Sequence, residues 1–325
     1  MVNVAELLNL PRLEEDLAAL EVALRDSVRT SDAFLTDVAG HLIGAGGKRL
    51  RPALTLGSAL AAGFDATPDV LQGGVSVELV HLGSLYHDDV MDEATSRRGV
   101  ESVNARWGNL IAILAGDFLL ARASEIAASL GTEVAGLLAT TIGRLCEGQV
   151  GELKTAFDVS RTEESYLTSI AGKTASLMSA ACRIGALTAG MERNLVEALT
   201  RYGHAFGMVF QIRDDILDLV GTQEMLGKPP GQDLVEGVYS LPVIYALAVP
   251  EAGPELRGLL GRPVNGPERD KARAIVRSTG AIAVALGEAR RHADRAAEAM
   301  EALPPGPVSK AMAELGHRLL DDVTT

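Results

Sequence analysis

Two short acidic runs are the residues best placed to do chemistry: His87-Asp88-Asp89-Val90-Met91-Asp92 and Gln211-Ile212-Arg213-Asp214-Asp215-Ile216-Leu217-Asp218. Both read D-D-x-x-D in segments of helical periodicity. Positions four apart share a helix face, so Asp88 lies beside Asp92 and Asp214 beside Asp218. Like charges so placed destabilise a helix by about 0.2–0.5 kcal/mol per pair. Each run also follows apolar sequence, Leu79, Val80, Leu82 and Leu85 before the first and Phe206, Met208, Val209 and Phe210 before the second. Carboxylates there cost more to place than on a solvated face. A cation that cancels the charge resolves both penalties. Carboxylate oxygens suit a hard ion, and Mg²⁺ shares its coordination between carboxylates, waters and substrate phosphates. One such run would as readily be a solvated helix face; two point to a metal-assisted diphosphate site.

The elements that must hold these runs are helical. Apolar positions recur at helical spacing over 13–28, and a long apolar helix is predicted over 68–93, with the first run near its C-terminal end. Further helices are predicted over 110–130, 131–152, 163–189 and 195–220, the last bearing the second run. Helical patterns resume at Leu241, over 271–302 and after the Pro-rich break at 303–307. A glycine-rich basic loop spans 44–52, and Gly227-Lys228-Pro229-Pro230-Gly231-Gln232-Asp233 reads as a second loop. Convincing strand alternation is absent. The expectation is all-α, one domain over 1–325.

Composition agrees and narrows the partners. Only 4% of residues are aromatic, while Ala, Leu and Gly abound, which favours close-packed helices over a β-sandwich. The net charge of −13 argues against a nucleic-acid partner. Within that acidic chain Lys48, Arg49 and Arg51 cluster, as do Arg97 and Arg98, and both clusters read as anion sites. Cys146 and Cys182 lack metal-ligand spacing and read as small buried hydrophobes in a reducing compartment. The opening residues lack the regions of a signal peptide, and no apolar run spans a bilayer. A cytoplasmic protein is expected, with peripheral membrane contact only through a lipophilic substrate.

The ordered segments GGKRLRP, HDDVMDEATSRRG, LAGDFLLARA, GKTASL, QIRDDILD and GKPPGQDL resemble the trans-isoprenyl diphosphate synthases, or polyprenyl synthetases. The resemblance covers most of the chain, from Gly46 to Pro242. It implies an orthogonal helix bundle around a central elongated cavity, the isoprenoid synthase type. It also implies head-to-tail condensation of isopentenyl diphosphate with an allylic diphosphate, and about three Mg²⁺ ions once substrate is bound. By this resemblance Asp88, Asp92, Asp214 and Asp218 are metal ligands. Asp89, Asp215 and Lys173 belong to the same catalytic set. Lys48, Arg51, His81 and Arg98 hold isopentenyl diphosphate, while Arg97, Lys173, Thr174, Gln211 and Lys228 hold the allylic diphosphate. Gly116-Asp117 is expected to be structural, and a homodimer is expected. One departure stands out: many relatives carry a second lysine before Leu241-Pro242, where this chain has Val238.

The product should grow down its cavity along the first run's helix. Gly83 and Ser84 lie about one turn deeper than Asp88 and are small where short-chain relatives carry bulky residues, so a product longer than farnesyl is expected. The rival readings are a short-chain synthase, a class I terpene cyclase and a non-catalytic partner subunit. The intact second run and the Lys48/Arg51/His81 set weigh against a cyclase, and retention of both residue sets weighs against a silent subunit.

Overall fold

The computed structural model describes residues 11–226, 229–321 and 323. The chain is all-α. In order the helices are α1 (Pro11–Ser27), α2 (Ala33–Gly44), α3 (Leu50–Ala61), α4 (Pro68–Met91), α5 (Val103–Trp107), α6 (Asn109–Ser129), α7 (Thr132–Lys154) and α8 (Glu163–Ile170). A π-helical turn, Ala171–Ala175, joins α8 to α9 (Ser176–Thr188). Then follow α10 (Arg193–Val220), α11 (Gln223–Leu226), α12 (Gln232–Glu236), α13 (Leu241–Leu247), α14 (Gly253–Leu259), α15 (Gly266–Ser278), α16 (Ala281–Met300) and α17 (Pro307–Leu320).

Two central helices carry the acidic runs. Thr67 caps α4 by accepting the Val70 N–H, and Pro68 sits at its first turn, where the missing N–H costs nothing. α4 is buried on nearly every side, from Val70 through Leu79 to Tyr86, and packs against α6, α3, α9 and α1. α10, 28 residues long, packs against α16, α9 and the π turn. Because α9 contacts both α4 and α10, it fixes the separation between the two runs. The Tyr86 hydroxyl donates to the Val38 carbonyl at 2.8 Å and ties α4 to α2, which leads into the basic loop.

Four sequence expectations need correction. The helix predicted over 271–302 is two helices, because Gly280 takes a left-handed φ of 73° that ends α15 and opens α16. The helix predicted over 163–189 contains the π turn, and α7 crosses that turn closely. A Cβ on Gly148 would fall 2.4 Å from the Lys173 amide nitrogen, and one on Gly172 2.8 Å from the Arg144 carbonyl oxygen. Strand structure is also present: Ser96–Arg97 pairs antiparallel with Val100–Glu101 around a two-residue turn. Arg98 and Gly99 in that turn have φ of 55° and 77°, the geometry that matches a twisted hairpin. The basic loop is shorter than expected, since α3 begins at Leu50 and carries Arg51 in its first turn.

Candidate active site

The first run forms a rim where α4 ends. Asp88 lies inside the last turn and Asp92 is the C-cap, its N–H donating to the Asp88 carbonyl. Burial pushes the Asp88 carboxyl up to about 6; Lys173 and Arg97 oppose the shift and Asp92 adds to it. Asp92 is raised by burial too. Two carboxylates that ionise reluctantly side by side form a donor pair suited to a hard cation. Asp89 differs: it is fully buried, and one of its oxygens takes both the Arg97 Nε at 2.7 Å and Nη2 at 2.5 Å.

The second run lies in the last turns of α10. Asp214 is exposed and faces the cavity shared with Arg97 and Lys48. Asp215 is buried, and both of its oxygens are engaged, by the Tyr166 hydroxyl at 2.5 Å and by Gln211 Nε2 at 2.7 Å. Burial raises its carboxyl, and these two donors pull it back. Asp218 turns to the following loop, accepting the Asp233 N–H at 3.2 Å while its carbonyl accepts the Gly231 N–H at 2.7 Å. Lys228 lies outside the described residues. Val238 occupies a half-buried position whose N–H donates to the Asp233 carbonyl, and it brings no charge.

Between the rims, Lys173 projects from the π turn. Its Nζ donates to Glu152 on α7 at 2.5 Å, and its charge is felt by Asp88 and Asp92. Thr174, one residue on, donates to Gln211 Oε1 at 2.6 Å.

A cavity of about 740 Å³ beside the first run is rich in cations: Lys48, Arg49, Arg51, Arg97 and Arg98 line it, with His81 and Glu78. Arg49 bridges Glu21 and the fully buried Glu78, at 2.7 and 3.0 Å. Arg51 is brought down to about 10 by burial and the nearby Arg98, against the pull of Glu78, and its buried Nε has no partner among the described residues. Burial and the surrounding arginines hold His81 well below the usual imidazole range, hence neutral. Arg49 and Arg98 both adopt left-handed backbone, a strain retained at ligand clamps. Gly47 lets the loop close on the hairpin, because a Cβ there would meet Arg98 Nη1 at 2.7 Å. A surplus of fixed guanidinium groups with an unpartnered buried donor is a site for a multiply charged anion.

A second cavity, about 320 Å³, runs down from Asp88 and Lys173 between α4, α6 and α7, past Ser84, Val80, Leu120, Ile142 and Leu145. The Ser84 hydroxyl donates to the His81 carbonyl at 2.8 Å, so the side chain shows the cavity little polarity. Gly83 faces α6 instead, where an added Cβ would sit 3.1 Å from the Gly116 carbonyl oxygen. Cys146 also lines this cavity and is exposed, which corrects the expectation of a buried hydrophobe; Cys182 is buried.

A sequence profile of the polyprenyl synthetase family matches residues 32–278. The chain belongs to the polyprenyl synthetase family. It is 40% identical to the nonaprenyl diphosphate synthase of Mycobacterium tuberculosis, over 92% of this chain and 90% of that protein. Among solved structures it resembles a decaprenyl diphosphate synthase from Rhodobacter capsulatus, with a TM-score of 0.89, 34% identity and 99% of both chains covered. It also resembles a geranylgeranyl pyrophosphate synthase from Corynebacterium glutamicum, solved with calcium and isoprenyl diphosphate. There the TM-score is 0.85 at 37% identity, with 97% of both chains covered. The chain is therefore a prenyltransferase with the isoprenoid synthase fold.

In this polyprenyl synthetase many of the residues singled out by sequence line two cavities, both bordered by α4. Lys48, Arg51, His81, Arg97, Arg98 and Asp214 share the cation-rich cavity, and Ser84, Asp88 and Lys173 share the apolar one. Sequence reasoning missed Glu78, Glu152 and Tyr166. Glu78 did carry a signal, as a lone acid between Val77 and Leu79 on the most buried helix. Glu152 and Tyr166 gave none, since only the packing of separate helices brings them to Lys173 and Asp215. Gly116 is structural as expected, because a Cβ there would run into the His87 ring at 2.3 Å.

Proposed function

We propose that the chain condenses isopentenyl diphosphate with an allylic diphosphate, head to tail, to give an all-trans polyprenyl diphosphate longer than farnesyl. The observation that carries this reading is that α4 lines two unlike cavities: His81 and Leu85 face one that holds fixed cations for a diphosphate, and Ser84 and Asp88 face an apolar tunnel for a hydrocarbon tail. Lys48, Arg51, Arg98 and neutral His81 seat isopentenyl diphosphate. Arg97, Lys173, Thr174, Gln211 and Lys228 serve the allylic diphosphate.

Asp88, Asp92, Asp214 and Asp218 would hold Mg²⁺, which would neutralise charge developing on the departing diphosphate. Calcium in the Corynebacterium relative supports a divalent ion of this kind. Lys173, poised on Glu152, can shift toward the diphosphate as its C–O bond breaks, adding fixed positive charge there. The isopentenyl double bond attacks the allylic carbon, and a proton leaves to the released pyrophosphate. The apolar lining of the 320 Å³ cavity disfavours water near the cationic carbon.

Product length beyond farnesyl is supported by small Ser84 on the tunnel wall and by the nonaprenyl and decaprenyl relatives. A homodimer is supported by Leu110, Ile113 and Leu114, exposed on one face of α6. No described helix is long and apolar enough to cross a membrane. The cytoplasm suits the two unpaired cysteines.

Radiolabelled isopentenyl diphosphate supplied with several allylic primers and Mg²⁺ tests the reading. A ladder of linear products ending beyond farnesyl is expected. Cyclised hydrocarbon, or no label in the organic phase with any primer, would overturn it.

A further inference from the structure

We infer that Tyr166 is a positioning residue for the allylic half of the site, acting through Asp215; this rests on the allylic assignment above. Asp215 repeats the chemistry of its neighbours in sequence but not in space. It is buried, and its two oxygens are spent on Tyr166 and Gln211, at 2.5 and 2.7 Å. That geometry orients the Gln211 amide: with Nε2 committed to Asp215, Oε1 is left to accept the Thr174 hydroxyl at 2.6 Å. The result is an unbroken chain of hydrogen bonds from Tyr166 through Asp215 and Gln211 to Thr174.

The chain spans three elements. Tyr166 is on α8, Asp215 and Gln211 are on α10, and Thr174 is in the π turn that continues α8. It therefore clamps α8 and the π turn to α10 at two points and sets the offset of Lys173 and Thr174 from Asp214. A π turn is an irregular, readily shifted element, so it needs such a clamp to present two side chains reproducibly. The Tyr166 ring cannot swing away. It is 1% exposed, and the buried Arg161 guanidinium lies over it at 5.6 Å while donating to the Tyr239 carbonyl at 3.2 Å. Nothing in this arrangement puts Tyr166 against substrate; it lines neither cavity of the site.

The test is a kinetic double-mutant cycle with Tyr166→Phe and Asp215→Asn, using farnesyl diphosphate as primer and Mg²⁺. Tyr166→Phe should raise KM for the allylic diphosphate about tenfold, the scale of one hydrogen bond to a charged group. KM for isopentenyl diphosphate should move by less than about twofold, because the cation-rich cavity shares no member of this chain of bonds. The double variant should be no worse than the poorer single one. A lowered melting temperature with both KM values unchanged, or additive effects in the cycle, would overturn the inference. If Tyr166→Phe does not fold, Asp215→Asn alone decides: an unchanged allylic KM overturns it. Wild-type enzyme that elongates no primer would instead refute the functional assignment.

Discussion

The two D-D-x-x-D runs are nearly identical in sequence and differ in how the protein supports them. In the first, α4 stops within the run, Asp92 caps the helix and the next residue, Glu93, is left-handed, so the carboxylates stand at an open rim. Its middle acid, Asp89, is neutralised by a cation, Arg97. In the second, the helix continues past the run, and the middle acid is held by the uncharged donors Tyr166 and Gln211, while Asp218 is engaged by loop backbone. In both runs the middle aspartate is taken up by the protein, while the first, Asp88 or Asp214, faces a cavity. One rim is therefore stiffened by an ion pair and the other by a hydrogen-bond chain, and the two should fail differently.

The largest effect should come from the residues for which the runs are equivalent. Asp88→Asn and Asp214→Asn should each lower kcat about 10²–10³-fold, the scale of removing one electrostatic stabiliser, with melting temperature held within a few degrees. A loss confined to one of them would break the symmetry of the walls. Next in size is stability at the middle positions. Asp89→Asn leaves Arg97 without its counter-ion and should cost about 2 kcal/mol, below the 3–5 of a fully buried pair because Arg97 is partly exposed. Asp215→Asn should cost about 1 kcal/mol, since the amide still offers an acceptor. Denaturant midpoints check the order, and a reversal would mean that neutral donors support the second run more strongly than the ion pair supports the first.

A pH effect separates the two sides further. His81 is held neutral in the fold, its pKa well below the ordinary value, so the unfolded chain takes up a proton that the folded chain refuses. Stability should therefore be complete above about pH 6.5 and fall as pH drops below it, by up to about 1.4 kcal/mol per unit for each such group. His292, lowered to about 4, and His204 act with the same sign. His81→Gln should make the decline between about pH 6.5 and 5 shallower without abolishing it; an unchanged slope would show that His81 is not the buried neutral group. The smallest effects belong to the tunnel. Ser84→Phe should shorten the products while leaving stability near wild type. Gly83→Ala, crowding the Gly116 carbonyl, should lower stability with product length unchanged. Product chromatography and thermal melts distinguish them.

Much of this site was legible because charge in apolar sequence is conspicuous. Asp88 and Asp214 follow apolar sequence, while Lys48–Arg51 and Arg97-Arg98 are basic clusters in an acidic chain, and the structure brings Lys48, Arg51, Arg97, Arg98 and Asp214 to one cavity. The helices carrying the runs were legible too, since Pro68 opens a long apolar stretch and the break at Gly221 closes one with a strong 3.6-residue pattern. What could not be read depends on backbone irregularity. The π turn has ordinary helical sequence, and the Arg98-Gly99 turn needs φ > 0 at an arginine, which local preference disfavours. Gly83 and Ser84 are adjacent and both small, yet one faces a helix and the other the tunnel, a difference of rotation that spacing alone leaves open.

The exposed flank of the apolar tunnel has a consequence for how the product is measured out. Met91, Cys146, Val150 and Leu153 line the tunnel and are themselves exposed in the single chain, so its wall is incomplete on that side. A second copy covering that flank as well as α6 would make the ruler a property of the pair rather than of the chain. Dilution that separates the copies would then truncate the product before it abolished turnover, and chain length would report assembly.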